Sequence, residues 1–273
     1  MSTFLALRLI SEKMPTRRIA IKLSYDGTGY HGWQRQPQLE QTIQGTLEHH
    51  LSTLLKESVL VDGASRTDAG VHAEDQLGAF TTSHPIQVNG LIKAINRRLP
   101  SQIAVTHAYE VDSAFTPRFV NQGKRYRYRL YYSPTRLPMI DRFSTRIHYP
   151  LDLEALCRGL SHIVGEHDFK SFAASNGQHQ SSIRHIWHAS LTKYKIAENG
   201  MLYEIRFEGS GFLKQMVRNL VGTLIEIGRG QWSSDRIPLI IEAKNRIAAG
   251  PTAAPRGLCL ETMFWHPPKD MTS

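Results

Sequence analysis

Apolar positions change period several times along the chain, and each change marks an element. Ile19-Ala20-Ile21-Lys22-Leu23-Ser24-Tyr25 alternates apolar with polar or small residues, as a half-buried strand does, and Asp26-Gly27-Thr28-Gly29 breaks it. Ile43, Leu47, Leu51 and Leu54 then fall on one helical face behind Thr42, a suitable N-cap. Residues 76–81 read as a strand. Leu91, Ile92 and Ile95 predict a helix ending at Arg97-Arg98, where cations suit the C-terminus, and 103–109 predict another strand. Along 124–130, Tyr126, Tyr128 and Leu130 share one strand face, and Arg125, Arg127 and Arg129 share the other. The expectation is rings in the core and arginines in water. For Tyr126, near the strand's start, a ring projecting into a cleft is equally open.

Leu153, Leu156, Leu160, Ile163 and Val164 make a helix face stopped by Gly165. Residues 175–182 read as a polar loop. Strands follow at 186–195 and 202–208 about the turn Glu198-Asn199-Gly200. Leu213, Val217, Leu220 and Leu224 stripe a helix, with Arg218 and Asn219 off the stripe. A last helix over 235–249, a Pro/Gly loop over 251–257 and a strand over 258–264 complete the chain. This order fits α+β organisation rather than strict βαβ alternation. The connector at 112–119 divides it into an extension (1–16), an N-terminal α+β domain (17–114) and a C-terminal α+β domain (115–273).

A chain of 273 residues suffices for one large domain or two modest ones, and 41% hydrophobic residues exclude a disordered chain. The net charge of +9 favours a polyanionic partner, nucleic acid foremost. The two cysteines, Cys157 and Cys259, form no CxxC pair, so there is no zinc or redox signature, and a reducing, cytoplasmic compartment is expected. No apolar run approaches the roughly 18 residues that span a bilayer. The apolar start is interrupted by Arg8 and lacks a cleavage-site pattern; residues 1–13 read as a frayed extension or a misassigned start ahead of Met14. His49 and His50 diverge by about 100° on a helix, and no clustered carboxylates suggest a metal-dependent nuclease. No metal is expected.

Candidate chemistry gathers in Gly63-Ala64-Ser65-Arg66-Thr67-Asp68-Ala69-Gly70-Val71-His72-Ala73. One cation, one hydroxyl and one carboxylate lie within three positions. A loop that brings Arg66 to Asp68 favours the ionised carboxylate, which can serve as nucleophile or general base. The plainer alternative is a turn with a surface ion pair of little energetic consequence. The loop Tyr30-His31-Gly32-Trp33-Gln34-Arg35-Gln36 also has two readings, a stacking surface for unpaired bases or an aromatic plug at the core edge.

Taken together, several blocks in order resemble the tRNA pseudouridine synthase A family. They are Tyr25-Asp26-Gly27-Thr28 with Gly32-Trp33-Gln34-Arg35-Gln36, then Arg66 to Ala73, then Tyr126-Arg127-Tyr128. Gly211-Phe212-Leu213, Met216-Val217-Arg218-Asn219 with Gly222, and Ala254-Pro255-Arg256-Gly257-Leu258 follow. The resemblance spans about Ile19 to Phe264. Ser65 stands where the family often has Gly, a change that bears on loop flexibility, and Thr116 and Pro117 depart from the usual Phe-x-Ala-Arg-Phe block.

The resemblance implies two ferredoxin-like α+β domains whose mixed or antiparallel sheets meet around a basic cleft. It implies a homodimer whose subunits both contact one tRNA, and isomerisation of uridine to pseudouridine in the anticodon stem-loop without cofactor or metal. Asp68 matches the catalytic aspartate, and Arg218 the basic residue expected to pair with it. Tyr126 matches the tyrosine that packs on the target base and takes part in proton transfer. Arg66 matches the residue that keeps the flipped nucleotide out of the stack, and Leu213, Val217 and Leu220 are expected as a nonpolar floor. The competing reading is a non-catalytic RNA-binding protein or RNA chaperone. A carboxylate at the centre of a phosphate-binding cleft opposes binding, so Asp68 favours chemistry.

Overall fold

Strand β1 (Arg17–Tyr25) forms where the first alternation predicts it, with Ile19, Ile21 and Leu23 at 1% exposure or less. The computed structural model describes residues 15–37, 41–177 and 180–266. Residues 1–13, expected as a frayed extension or misassigned start, and part of the 175–182 loop lie outside them. Helix α1 (Ile43–Leu55) begins at Thr42, whose Oγ1 accepts the Gly45 N–H at 3.2 Å, one of the donors that an uncapped helix leaves orphaned. Leu55, rather than Leu54, completes its buried face.

The chain then runs through β2 (Asp62–Gly63), β3 (His72–Thr82), α2 (Val88–Asn96), β4 (Ile103–Val111), the short α3 (Pro117–Val120) and β5 (Gly123–Tyr132). Next come α4 (Pro138–Asp141), β6 (Thr145–Ile147), α5 (Leu153–Ser161), β7 (Gly165–Asp168), β8 (Ile183–Ala197) and β9 (Gly200–Gly209). Helices α6 (Met216–Gly228) and α7 (Arg236–Ala243) and strand β10 (Leu258–Phe264) close the fold. Tyr128, Tyr131, Phe80 and Phe207 are among its largest fully buried side chains. Burying an aromatic or branched side chain of this kind contributes roughly 1.5–3 kcal/mol.

The architecture is α+β on a large mixed sheet. The expectation of separate sheets is corrected, because one continuous sheet runs β4-β1-β3-β10-β5-β9-β8-β7, with β2 on β3 and β6 on β5. Its join is the C-terminal strand. β10 lies parallel to β3 (Cys259 opposite His72) and antiparallel to β5 (Leu258 opposite Tyr128), so it stitches the N-terminal strands to the C-terminal ones. No local pattern in the sequence carries that long-range pairing.

Three local expectations are also corrected. β3 starts at His72, earlier than residue 76, so the central loop feeds directly into a strand. The last helix ends at Ala243, because Lys244 adopts φ 46° and the Asn245 side chain caps a separate turn over Arg246–Ala248. The arginine face of β5 is only partly in water, with Arg125 and Arg129 half-buried. Arg127 is 8% exposed, with Nη1 2.8 Å from Glu261 and Nη2 2.5 Å from Glu74, while Arg129 Nε lies 2.7 Å from Glu204. The glutamates come from β3, β9 and β10, which the sheet register places beside β5 or across β10 from it.

Candidate active site

Between β2 and β3 the chain must turn over a few residues, and packing from two sides fixes the turn. Gly32 adopts φ +88°, and a Cβ there would stand 2.6 Å from the Thr67 carbonyl oxygen. The loop carrying Gly32 therefore lies flat on residues 67–69. Backbone hydrogen bonds lock the two together, with Trp33 N–H donating to Thr67 O (3.0 Å) and Gly70 N–H to Tyr30 O (3.2 Å). Trp33 is 2% exposed and packs over Gly63, tilted against Tyr25. For Trp33 the core-plug reading holds. Arg35 pairs with Glu48 at 3.3 Å.

Polar side chains hold the loop from beneath. The Tyr25 and Thr67 hydroxyls share a 2.8 Å hydrogen bond, and Gln76 Nε2 donates to Ser65 O at 2.8 Å. Burial pushes the Tyr25 phenol far above its ordinary value, so it stays protonated. Ser65 is 6% exposed, and its Oγ lies 3.4 Å from the Tyr126 hydroxyl and 3.1 Å from Lys124 Nζ. Ser65 is thus a buried hydrogen-bonding centre between the loop and β5.

Asp68 projects from this loop to meet Arg218 on α6, Oδ2 to Nη1 3.1 Å. The partner is thus Arg218 and not Arg66, which is exposed. The two-residue spacing of Arg66 and Asp68 let a loop pair them; the settled turn sends Arg66 outward. Arg218 is aimed by its own backbone contacts. Its Nε donates to Ala253 O at 2.8 Å, and Ala253 N–H donates to Arg218 O at 3.1 Å. Behind it, a Cβ on Gly222 would fall 1.6 Å from Pro251 O, so the Pro/Gly loop lies directly on the helix.

Asn219, expected off the apolar stripe, is fully buried. Its Nδ2 donates to Phe172 O (2.7 Å) and its Oδ1 accepts from Arg246 (3.0 Å) and Thr252 (2.7 Å). Helix α6 starts at Met216, so Leu213 sits in the turn before it; Leu213, Val217 and Leu220 are all buried.

Tyr126 is 6% exposed on β5, with Phe212 set edge-on at 5.1 Å. Burial pushes its phenol up to about 12. Lys124, two residues earlier on the same strand face, is pushed down to about 8 by burial and by Arg118 and Arg184. Lys124 and Gln76 hold the loop but were given no role by motif reading, and Ser65, inside the motif, was read only as a departure from the family's Gly. The signal available was the period of two, which puts Lys124 on the tyrosine face. A separate cavity of about 370 Å³ includes Arg127, Arg129, Glu74, Asp26 and His72, and Asp68 lies outside it. Among the described residues no group of three or more His, Cys, Asp or Glu is placed to hold a metal ion, and no helix is long and apolar enough to cross a membrane.

The loop thus presents an arginine-paired carboxylate on a chain of net charge +9, an arrangement able to act as nucleophile or general base. Comparison with known proteins makes this specific. The tRNA pseudouridine synthase family model matches residues 21–119 and 160–265. A protein named tRNA pseudouridine synthase A from Geotalea uraniireducens is 39% identical over 91% of this chain and 100% of its own. Proteins of that name from Myxococcus xanthus (39%; 91% of this chain, 92% of its own) and Pelobacter propionicus (41%; 89% and 98%) are similarly alike. The chain belongs to the tRNA pseudouridine synthase family. Among solved structures, a Cbf5-Nop10-Gar1 complex is alike at TM-score 0.35 and 9% identity, over 76% of this chain and 44% of that one, too slight a likeness to bear on the site.

Proposed function

We propose that the protein isomerises uridine to pseudouridine in the anticodon stem-loop of tRNA, with Asp68 as the reacting carboxylate. The observation that carries this reading is the Asp68–Arg218 pair at 3.1 Å, which joins a loop held from both sides to α6. The uracil must leave C1′ by cleavage of the C1′–N1 bond, turn, and bond through C5, releasing the C5 proton. A carboxylate serves that exchange either by bonding to C1′ or by taking the 2′ proton to form a glycal. Arg218 orients the carboxylate. Tyr126 packs on the target base and assists proton transfer, above a nonpolar floor of Leu213, Val217 and Leu220. Arg66, exposed on the loop, supports the flipped nucleotide; flipping costs a few kcal/mol that such contacts must offset.

In the same reading the two halves, 17–114 and 115–273, are ferredoxin-like domains sharing the continuous sheet. The protein works in the cytoplasm as a homodimer whose subunits both touch one tRNA, with no cofactor or metal. The test is nucleoside analysis of an unmodified tRNA transcript after incubation, with a chemical tag to separate pseudouridine from isobaric uridine and to map it. Product in the anticodon stem-loop is expected. Tight, salt-sensitive tRNA binding without altered nucleoside would establish the RNA-binding protein instead.

A further inference from the structure

Three carbonyls in the segment before β10 are each taken by a side chain from a different element. Ala253 O accepts from Arg218 Nε of α6 at 2.8 Å, Ala254 O accepts from the Tyr128 hydroxyl of β5 at 2.7 Å, and Arg256 O lies 3.2 Å from His72 Nε2 of β3. A carbonyl only accepts, so Nε2 supplies the proton of the last contact. This holds for either charge on the ring. The neutral ring that accepts the Gly27 N–H at Nδ1 (3.1 Å) keeps its one proton on Nε2. The charged ring that faces Asp26 Oδ1 at 3.0 Å has a proton on both nitrogens.

His72, 5% exposed, is also tied to Asp68. The Val71 N–H donates to Asp68 O at 3.1 Å, closing the turn one residue before His72. The contacts make a closed ring. Asp68 meets Arg218, Arg218 holds Ala253 O, the chain runs on to Arg256, Arg256 O meets His72, and the turn leads back to Asp68. A guanidinium held by Ala253 O moves with that carbonyl. His72 fixes the carbonyl's segment against the turn that carries Asp68. Without His72, the two are related only by Pro255 against Gly70 and by the register of β10 on β3. We propose that His72 is a positioning residue whose Nε2–H bond to Arg256 O sets where Arg218 meets Asp68. What the pair then does rests on the function proposed above.

Amide side chains separate the two ring nitrogens. An asparagine amide reaches the place of Nδ1 and a glutamine amide that of Nε2, so His72→Asn drops the bond to Arg256 O and His72→Gln keeps a donor for it. With both variants assayed below their unfolding midpoints, kcat at saturating tRNA is expected to be about 10-fold lower in His72→Asn, less than the ~100-fold that a 1 Å misplacement can cost. Affinity for tRNA stays unchanged, and His72→Gln recovers most of the loss. Arg218→Lys cannot hold Ala253 O and Asp68 together, so His72→Asn adds less than about 2-fold in that background. In the free protein, the Arg218 Nε–H is followed by proton–nitrogen NMR, assigned by its loss in Arg218→Lys. Its exchange with water is expected to be about 10-fold faster in His72→Asn and near wild type in His72→Gln. Equal losses in the two His72 variants, a His72→Asn loss that multiplies that of Arg218→Lys, or Arg218 exchange unmoved by His72→Asn overturn the proposal. If wild type forms no pseudouridine, the functional reading fails, and the exchange measurement still decides whether His72 positions Arg218.

Discussion

Asp68 and Arg218 lie 150 positions apart in sequence and meet at 3.1 Å, joining the loop before β3 to the first turn of α6. Arg218 makes the contact with Nη1 while its Nε holds Ala253 O. A guanidinium can serve both acceptors from one fork, and an ammonium cannot. Arg218→Lys is therefore expected to lower kcat about 10- to 100-fold, a loss of roughly 1.4–2.8 kcal/mol, while thermal unfolding changes little. Steady-state turnover of a tRNA transcript measures it.

The second support is the seam between α6 and the Pro/Gly loop. Asn219→Ala strands Phe172 O, Arg246 and Thr252 in the interior and is expected to cost about 2–3 kcal/mol. Gly222→Ala forces a Cβ onto Pro251 O and is expected to cost about 3 kcal/mol, at the upper end of overpacking. Chemical denaturation with an unchanged slope reads both. Near-wild-type stability in either variant would contradict the seam's role.

Arg127 is the buried member of the ion-pair ladder on the opposite face of β5 from Tyr126. Arg127→Met leaves Arg206 on Glu261 and Arg129 on Glu204, and Glu74 is half-exposed. The expected cost is about 2 kcal/mol, below the ~3–5 kcal/mol of a fully abandoned buried charge. Turnover at a permissive temperature should be retained, since the site lies on the other face. Denaturation and turnover measured together check both halves.

Lys124 links stability to pH. Its folded value, about 8, lies below the ordinary lysine value, so above pH 8 the unfolded chain holds more protons and stability rises with pH. Below pH 8 the cost of burying the ammonium is fully present. Lys124→Met is expected to exceed wild type in stability at pH 7, with the gap narrowing by about pH 9.5. The comparison stops there because Tyr126 and Tyr128, both held up to about 12, lower stability once unfolded tyrosines ionise. Paired denaturation curves at the two pH values measure the gap.

Most elements were legible because their apolar residues keep a strict period. β1, α1, β5 and β10 stand within a few residues of their predicted bounds. The single sheet was not legible, because it depends on β10 meeting β3 and β5 in register, and period says nothing of partners. The burial of Arg127 was missed for the same reason, since its glutamates come from other strands. Asp68, Tyr126 and Arg218 were singled out through resemblance, and the structure pairs Asp68 with Arg218, whereas the contact of Lys124 with Ser65 depends on β5 meeting the loop and no motif carries it.

The most direct test of the central claim is tritium release from tRNA labelled at C5 of uridine, since pseudouridine formation must expel that hydrogen. Wild type and Asp68→Asn are compared, with tRNA affinity measured for both. The account predicts release by wild type matching the uridine converted, and none by Asp68→Asn at near-equal affinity. Release retained by Asp68→Asn would contradict it.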